Sequence, residues 1–252
     1  MIGSRITERN EDRMIKMNRK LVYLQHVPFE NPGIILDWAA EKGFELNGIM
    51  MYDEPCLPLP EEYDWLVVMG GPMNIYEEEK YPWLEEEKAF IRSAIETGKV
   101  VLGLCLGAQL IAGVLGGRVT KNPQPEIGWL PVTMTEQALA LPFFRHFPKE
   151  PTVFQWHGDT FSILPETVTL LAKSAACRHQ AFSYQDRVFG FQFHLENTRE
   201  VIQSLIENCR DEMTPGTYVQ SEESILAHPE HIAQDNVWMK GFLNAVFAQQ
   251  ES

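Results

Sequence analysis

The sequence predicts an α/β protein with a mostly parallel central sheet, helices on both of its faces, a smaller antiparallel extension and C-terminal helices. Three observations carry this prediction. Through the first half, short apolar runs alternate with helix-length segments, the rhythm of successive β-α-β crossovers. A cysteine flanked by Gly103 and Gly107 stands where an apolar strand gives way to a helix. The second half then changes to shorter β segments and finally to helix-forming sequence. In such sheets ligands bind beyond the carboxyl ends of the parallel strands.

Residues 21–27 read as the first strand, and Asn31 with Pro32 as the N-cap and first residue of a helix that Gly43 closes. Residues 44–52 and 65–69 supply the next strands, separated by the Pro-rich loop 54–60. An acidic helix, 83–97, stops at Gly98 and leads into the strand before the cysteine. A helix follows from Gly107 to about Leu115. Further β segments are expected at 118–120, 129–135, 152–156, 168–175, 182–184 and 188–193. From residue 198 onward the chain reads as helical, with Asn197 as its N-cap. There Met239, Phe242, Leu243, Val246 and Phe247 recur at helical spacing, a stripe to be buried on the parent domain or against a second protein chain. The expected organisation is a charged, disordered extension over 1–19 with Met14 or Met17 as a candidate start, a domain over 20–197, and a helical extension over 198–252.

With 44% hydrophobic and 11% aromatic residues in 252, the chain has material for a large core, which excludes global disorder. A net charge of −14 argues against a broad basic face for nucleic acid. No apolar stretch is long enough to span a membrane, and the N-terminus lacks the apolar core of a signal peptide. Cys56, Cys105, Cys177 and Cys209 lie far apart without a C-x-x-C pair, so neither a disulfide framework nor a metal site is expected. The nearest metal-like run, Cys177 to His179, reads as a loop or strand edge. A reducing cytoplasm fits this cysteine usage.

The run G-L-C-L-G-A-Q-L over 103–110 has the form of a nucleophile elbow. Its tight turn pushes Cys105 out at the sheet edge, and the N–H groups of the following helix favour a thiolate. A distant partner is F-Q-F-H-L-E over 191–196. On a strand end, residues two apart share a face, which would present His194 as base beside Glu196 as its orienting acid. The V-M-G-G-P run over 68–72 lets the backbone approach a ligand closely, and an N–H there with that of Leu106 would hold an oxyanion.

Together these residues resemble the class I glutamine amidotransferases, and within them the stand-alone proteins similar to the amidotransferase domain of GMP synthase. The resemblance runs from about Lys20 to Asn197 and includes P-W-L-E-E-E-K at 82–88, K-N-P at 121–123, E-I-G-W at 126–129 and Q-W-H-G-D at 155–159. It implies the flavodoxin-like fold of that family. It also implies Cys105 as nucleophile, His194 as base and Glu196 as third member. Gly70, Gly71, Leu106 and Gln109 then resemble glutamine-binding and oxyanion positions, with Trp156, His157 and Gly158 lining the pocket for the amino-acid end. Two departures stand out. Leu195 replaces the proline of the common H-P-E run, which predicts a looser turn between base and acid. Leu106 replaces the tyrosine that commonly follows the nucleophile in GMP synthases.

The expected reaction is hydrolysis of the glutamine side-chain amide through a γ-glutamyl thioester, with no cofactor. Neither a P-loop run nor an S-G-G-x-D-S run occurs in the sequence. The ATP-dependent half of an amidotransferase is therefore expected on a separate synthetase subunit, the alternative being a γ-glutamyl peptidase that needs none. A non-catalytic regulatory subunit is the third reading.

Overall fold

A computed structural model describes residues 19–251. The expectations for residues 1–18 lie outside the described residues. The main sheet has eight strands in the order β2-β1-β3-β4-β10-β9-β8-β6. Its parallel part comprises β1 (Lys20–Gln25), β2 (Glu45–Met50), β3 (Trp65–Val68), β4 (Val100–Leu104) and β10 (Val188–Phe191). The antiparallel part adds β9 (Ala181–Tyr184), β8 (Thr169–Lys173) and β6 (Thr133–Met134).

Strand β4 shows why the central strands carry unbroken apolar runs. Val100, Leu102 and Leu104 enter the core that also holds Ile35 and Trp38 of helix α1 (Ile34–Glu41). Val101 enters the opposite core with α2 (Trp83–Glu96) and α3 (Leu106–Val114). Both faces of the sheet are thus covered by helices, as expected.

A second sheet pairs β5 (Arg118–Pro131) with β7 (Thr152–Ile163) in antiparallel register. The sequence predicts several short segments here. The proline-interrupted run 122–125 breaks the alternation, and the structure absorbs it as a register shift between Lys121 and Glu126.

Two N-caps differ from expectation. Helix α1 has Gly33 as its N-cap, whose φ of 50° an L side chain rarely adopts, while the Asn31 side chain accepts the Gly33 N–H at 2.9 Å. Helix α5 (Arg199–Asn208) is capped by Thr198 rather than Asn197, its hydroxyl accepting the Val201 N–H.

Beyond α4 (Glu136–Ala140) and α5, the chain forms α6 (Glu222–Leu226) and α7 (Pro229–Gln250). Residues 198–251 are not continuously helical. The segment around Tyr218–Gln220 lies along β5, bonded to Ile127 on both sides, and Gln220 bonds both the N–H and the carbonyl of Trp129. The stripe of α7 is no open docking face. Met239, Phe242, Leu243 and Val246 are at most 1% exposed, packed in the core of α1 and the main sheet. Phe242 alone contacts the rings of Phe143, Phe144, Phe189 and Phe191. No helix of the described residues is long and apolar enough to cross a membrane.

Candidate active site

Cys105 is the residue between β4 and α3, with φ 49° and ψ −106°. A non-glycine residue with this backbone is strained and is held by its surroundings. Its N–H donates to the Phe191 carbonyl of β10 at 2.8 Å, and the Gly107 N–H donates to Met69 at 3.1 Å. The flanking glycines serve this packing. A Cβ on Gly107 would lie 2.0 Å from the Val68 carbonyl oxygen, and one on Gly103 would lie 2.5 Å from the Gly107 carbonyl carbon. The run G-L-C-L-G is therefore a requirement of contact as well as of turning.

His194 arrives by a route the sequence did not reveal. Strand β10 ends at Phe191, the chain bends, and His194 makes a single bridge to β7, its N–H donating to Phe154 at 2.9 Å. Its Nδ1 then bonds Glu196 Oε1 at 2.6 Å, while Glu196 Oε2 accepts the Leu195 N–H at 2.9 Å. The turn is thus pinned rather than loosened by the absence of proline, because only a residue with an N–H can make that bond. Asn236 of α7 holds the same turn from behind, donating to the carbonyls of Leu195 at 3.1 Å and Asn197 at 3.0 Å.

The imidazole and the thiol lie close enough to shift each other's proton affinity, and the thiol donates to the Trp156 carbonyl at 3.5 Å. Burial pushes the Cys105 thiol up, while His194 and the Leu106 N–H draw it back down. Burial by itself would pull His194 down, but the Glu196 carboxylate and the contact with Cys105 override it and hold the imidazole well above its ordinary value. A proton leaving Cys105 therefore has a basic acceptor at hand. Gln192 donates to Sγ at 3.5 Å from the other side, and Gln109 Nε2 bonds Gln192 Oε1 and the Asp159 carbonyl, both at 3.2 Å.

At the G-G-P run, His26 is buried between Gly70 and Glu87, each ring nitrogen 2.8 Å from its oxygen. Burial opposes the charged ring, but Glu87 and the Gly70 carbonyl raise His26 above its usual value. Because a peptide is planar and trans, fixing the Gly70 carbonyl also fixes the direction of the Gly71 N–H. Sequence reasoning missed His26 and Glu87, whose roles depend on a contact 61 residues apart.

The thiol opens into a cleft of about 470 Å³ lined by Gly71, Cys105, Gln109, Trp156, His157, Gly158 and His194 among others. Gly70 borders it through Cys105, while Leu106 and Glu196 are buried behind the surface. The His157 ring is held by Glu126 at 3.1 Å and the Asp159 carbonyl at 2.9 Å, so neither nitrogen is free to serve the thiol. Glu126, His157 and Cys177 bring three metal-ligating atoms within 4.8 Å of one another. Their potential ligand atoms already bond protein groups: Glu126 accepts from Ser174 and Gln180, and Cys177 contacts Thr160. Glu30, also missed from sequence, lines the cleft near the triad.

Comparison with known proteins agrees with this geometry. Over 195 residues the chain is 36% identical to the glutamine amidotransferase-like protein YfeJ of Salmonella typhimurium, covering 76% of this chain and 81% of that one. It is 30% identical to one of the subunits of the glutamine-hydrolyzing GMP synthase of Sulfurisphaera tokodaii, over 66% of this chain and 87% of that one. The crystal structure of a glutamine amidotransferase from Thermotoga maritima superposes with a TM-score of 0.81 at 32% identity, covering 90% of this chain and 98% of that one. The family model for glutamine amidotransferase class-I matches residues 37–212. With the elbow, the sheet order and this match in agreement, the chain belongs to the class-I glutamine amidotransferase family.

Proposed function

We propose that this chain hydrolyses the side-chain amide of glutamine as a cysteine-dependent amidohydrolase. The observation that carries the reading is that Cys105 and His194 border one cleft, with Glu196 buried behind them and its Oε1 2.6 Å from His194 Nδ1. Sγ attacks the γ-carbonyl while His194 takes the thiol proton, then returns it to the departing nitrogen as the C–N bond breaks. Water activated by His194 next attacks the thioester, and cleavage of the S–C bond releases glutamate. Glu196 orients the ring and stabilises its charged form. The N–H groups of Gly71 and Leu106 meet the oxyanion, that of Gly71 aimed by the His26 contact on Gly70. Gln109, Trp156, His157 and Gly158 border the amino-acid end of the substrate.

The ammonia goes to an acceptor on a separate synthetase subunit. The name of the Sulfurisphaera tokodaii relative, one subunit of a glutamine-hydrolyzing synthase, supports this. A second reading, partner-free hydrolysis of γ-glutamyl amides, is favoured by one observation: the cleft continues past Cys105 along Trp156 to Leu205 and Glu212, beyond what a carboxamide NH₂ fills.

The deciding experiment assays the purified chain, alone, on glutamine and on γ-glutamyl dipeptides, with Cys105→Ala as control. Slow Cys105-dependent glutamine hydrolysis, accelerated by a synthetase partner, supports the first reading. Dipeptide cleavage with kcat/KM well above that for glutamine selects the second. No Cys105-dependent turnover on any of them overturns both and leaves the non-catalytic regulatory role.

A further inference from the structure

The pairing of β5 with β7 divides the cleft into two unlike halves. The register sets Glu126 opposite His157 and Ile127 opposite Trp156. Neighbouring residues on a strand face opposite sides, so these two pairs border different spaces. Cys105 Sγ lies 3.5 Å from the Trp156 carbonyl. The His157 half contains Lys121 and Asp159, one charge of each sign, which suits the ammonium and carboxylate of an amino-acid end.

The other half is lined by Glu30, Ile127, Trp156, Leu205, Cys209 and Glu212. It combines apolar walls with two carboxylates, and among the described residues no lysine or arginine borders it. Glu30 is only 8% exposed, and its carboxylate has no hydrogen-bond or ion-pair partner among the described residues. A Cβ built on Gly70 would lie 2.3 Å from Glu30 Oε2 and 3.5 Å from Cys105 Cβ, so carboxylate and nucleophile flank one glycine. Glu212 adds a second charge, its Oε2 accepting the Trp156 indole N–H at 2.9 Å. Burial first, and the charge of Glu212 with it, pushes Glu30 up to about 7. His194 and His26 offset that burial only in part, and a buried carboxylate without a direct partner weakens a fold unless something else requires it.

We propose that the Trp156 half of the cleft is a leaving-group subsite for γ-glutamyl amides whose amine carries a second, positively charged nitrogen on a short alkyl chain. The inference rests on the proposed thiol chemistry at Cys105. The alkyl chain lies along Trp156, Ile127 and Leu205, and the ammonium reaches Glu30 and Glu212. The bond changes are those of the hydrolysis above. The nitrogen at the broken C–N bond receives the His194 proton, the distant ammonium keeps its charge, and water is the sole co-reactant.

The test compares γ-glutamyl aminobutyl amide with its neutral isostere, γ-glutamyl pentyl amide. Values of kcat/KM are measured for the wild type, Glu30→Gln and Glu212→Gln, and calorimetric affinities for both amides on Cys105→Ala. The expected result is a preference of about tenfold or more for the charged amide, in turnover and in affinity, reduced towards unity by either substitution. Glu212 is solvent-facing, so its variant keeps the test open if Glu30→Gln folds poorly. A wild-type ratio near one, or a ratio unmoved in both variants, overturns the subsite. So does an equal loss on both amides in Glu30→Gln, which assigns that carboxylate to the amino-acid end. A calorimetric preference without turnover of any γ-glutamyl substrate keeps the subsite and overturns the proposed hydrolysis.

Discussion

The backbone N–H of Leu195 donates to the side chain of Glu196 at 2.9 Å, leaving the second carboxylate oxygen to His194. Neighbouring residues thus use one carboxylate for two tasks, closing a turn and orienting an imidazole. A proline at 195 would fix φ but could not donate.

Leu195→Pro is therefore expected to cost more than its side chain. A hydrogen bond to a charged group contributes about 1.5–3 kcal/mol, and here its loss frees the carboxylate that orients His194. Turnover should fall about ten- to a hundredfold. Leu195→Ala retains the N–H and should lose thermal stability with a much smaller loss of turnover. Equal turnover losses in the two variants would remove the N–H from the account.

A glutamine-like chloroketone is expected to label Cys105 and to spare the other three thiols. Burial raises Cys177, whose neighbour His157 has both nitrogens engaged, and burial with the charge of Glu212 pushes Cys209 up to about 12, whereas Cys105 has the His194 imidazole to draw it back down. Cys56 is exposed but lies outside the cleft. Peptide mapping that finds the label spread over all four would show that the cleft confers no selectivity.

His194→Ala should reduce kcat far more than Glu196→Gln. In the proposed hydrolysis the imidazole transfers protons in both half-reactions, while the acid orients and stabilises it. Glu196→Gln can still accept the Nδ1–H through its amide oxygen, so a partial loss is expected. Steady-state kinetics on folded variants check the order, and a reversed order would reassign the base.

Glu30→Gln is expected to stabilise the protein in a pH-dependent way. Burial raises Glu30 from 4.5 to about 7, so the folded state holds its proton more tightly than the unfolded chain does. That stabilisation is complete below pH 4.5 and is lost as pH rises through 7. The groups facing this carboxyl are His194 and His26, which oppose the shift, and Glu196 and Glu212, which add to it. A glutamine does not titrate, so the variant should gain on the wild type by up to about 3 kcal/mol at pH 8 and little near pH 5. Tm values at the two pH values measure the difference. A gain that does not vary with pH would show that ionisation of Glu30 carries no cost.

Much of this was legible in the sequence because it depends on local chemistry. The elbow is five consecutive residues, and the parallel sheet with helices on both faces follows from alternating apolar and amphipathic runs. The meeting of Cys105 with His194 was inferred from two runs that each need the other. What stayed hidden depends on chain geometry rather than local pattern. His194 and Glu196 do not share a strand face but a turn beyond β10, because the bend after Phe191 has no glycine or proline to announce it. Glu30 sits in an ordinary-looking loop, and its significance appears only when Gly70 is folded against it. The α7 stripe was visible as a stripe, but spacing alone does not identify which surface covers it.

The Asn236 contact also sets an order of events. Asn236 lies 41 residues beyond Leu195, so a nascent chain carries Cys105, His194 and Glu196 before it carries the side chain that braces the turn between the last two. Domains fold as units while synthesis proceeds from the N-terminal side. The contact that braces the turn between His194 and Glu196 is therefore completed only by the helix that is made last among the described elements.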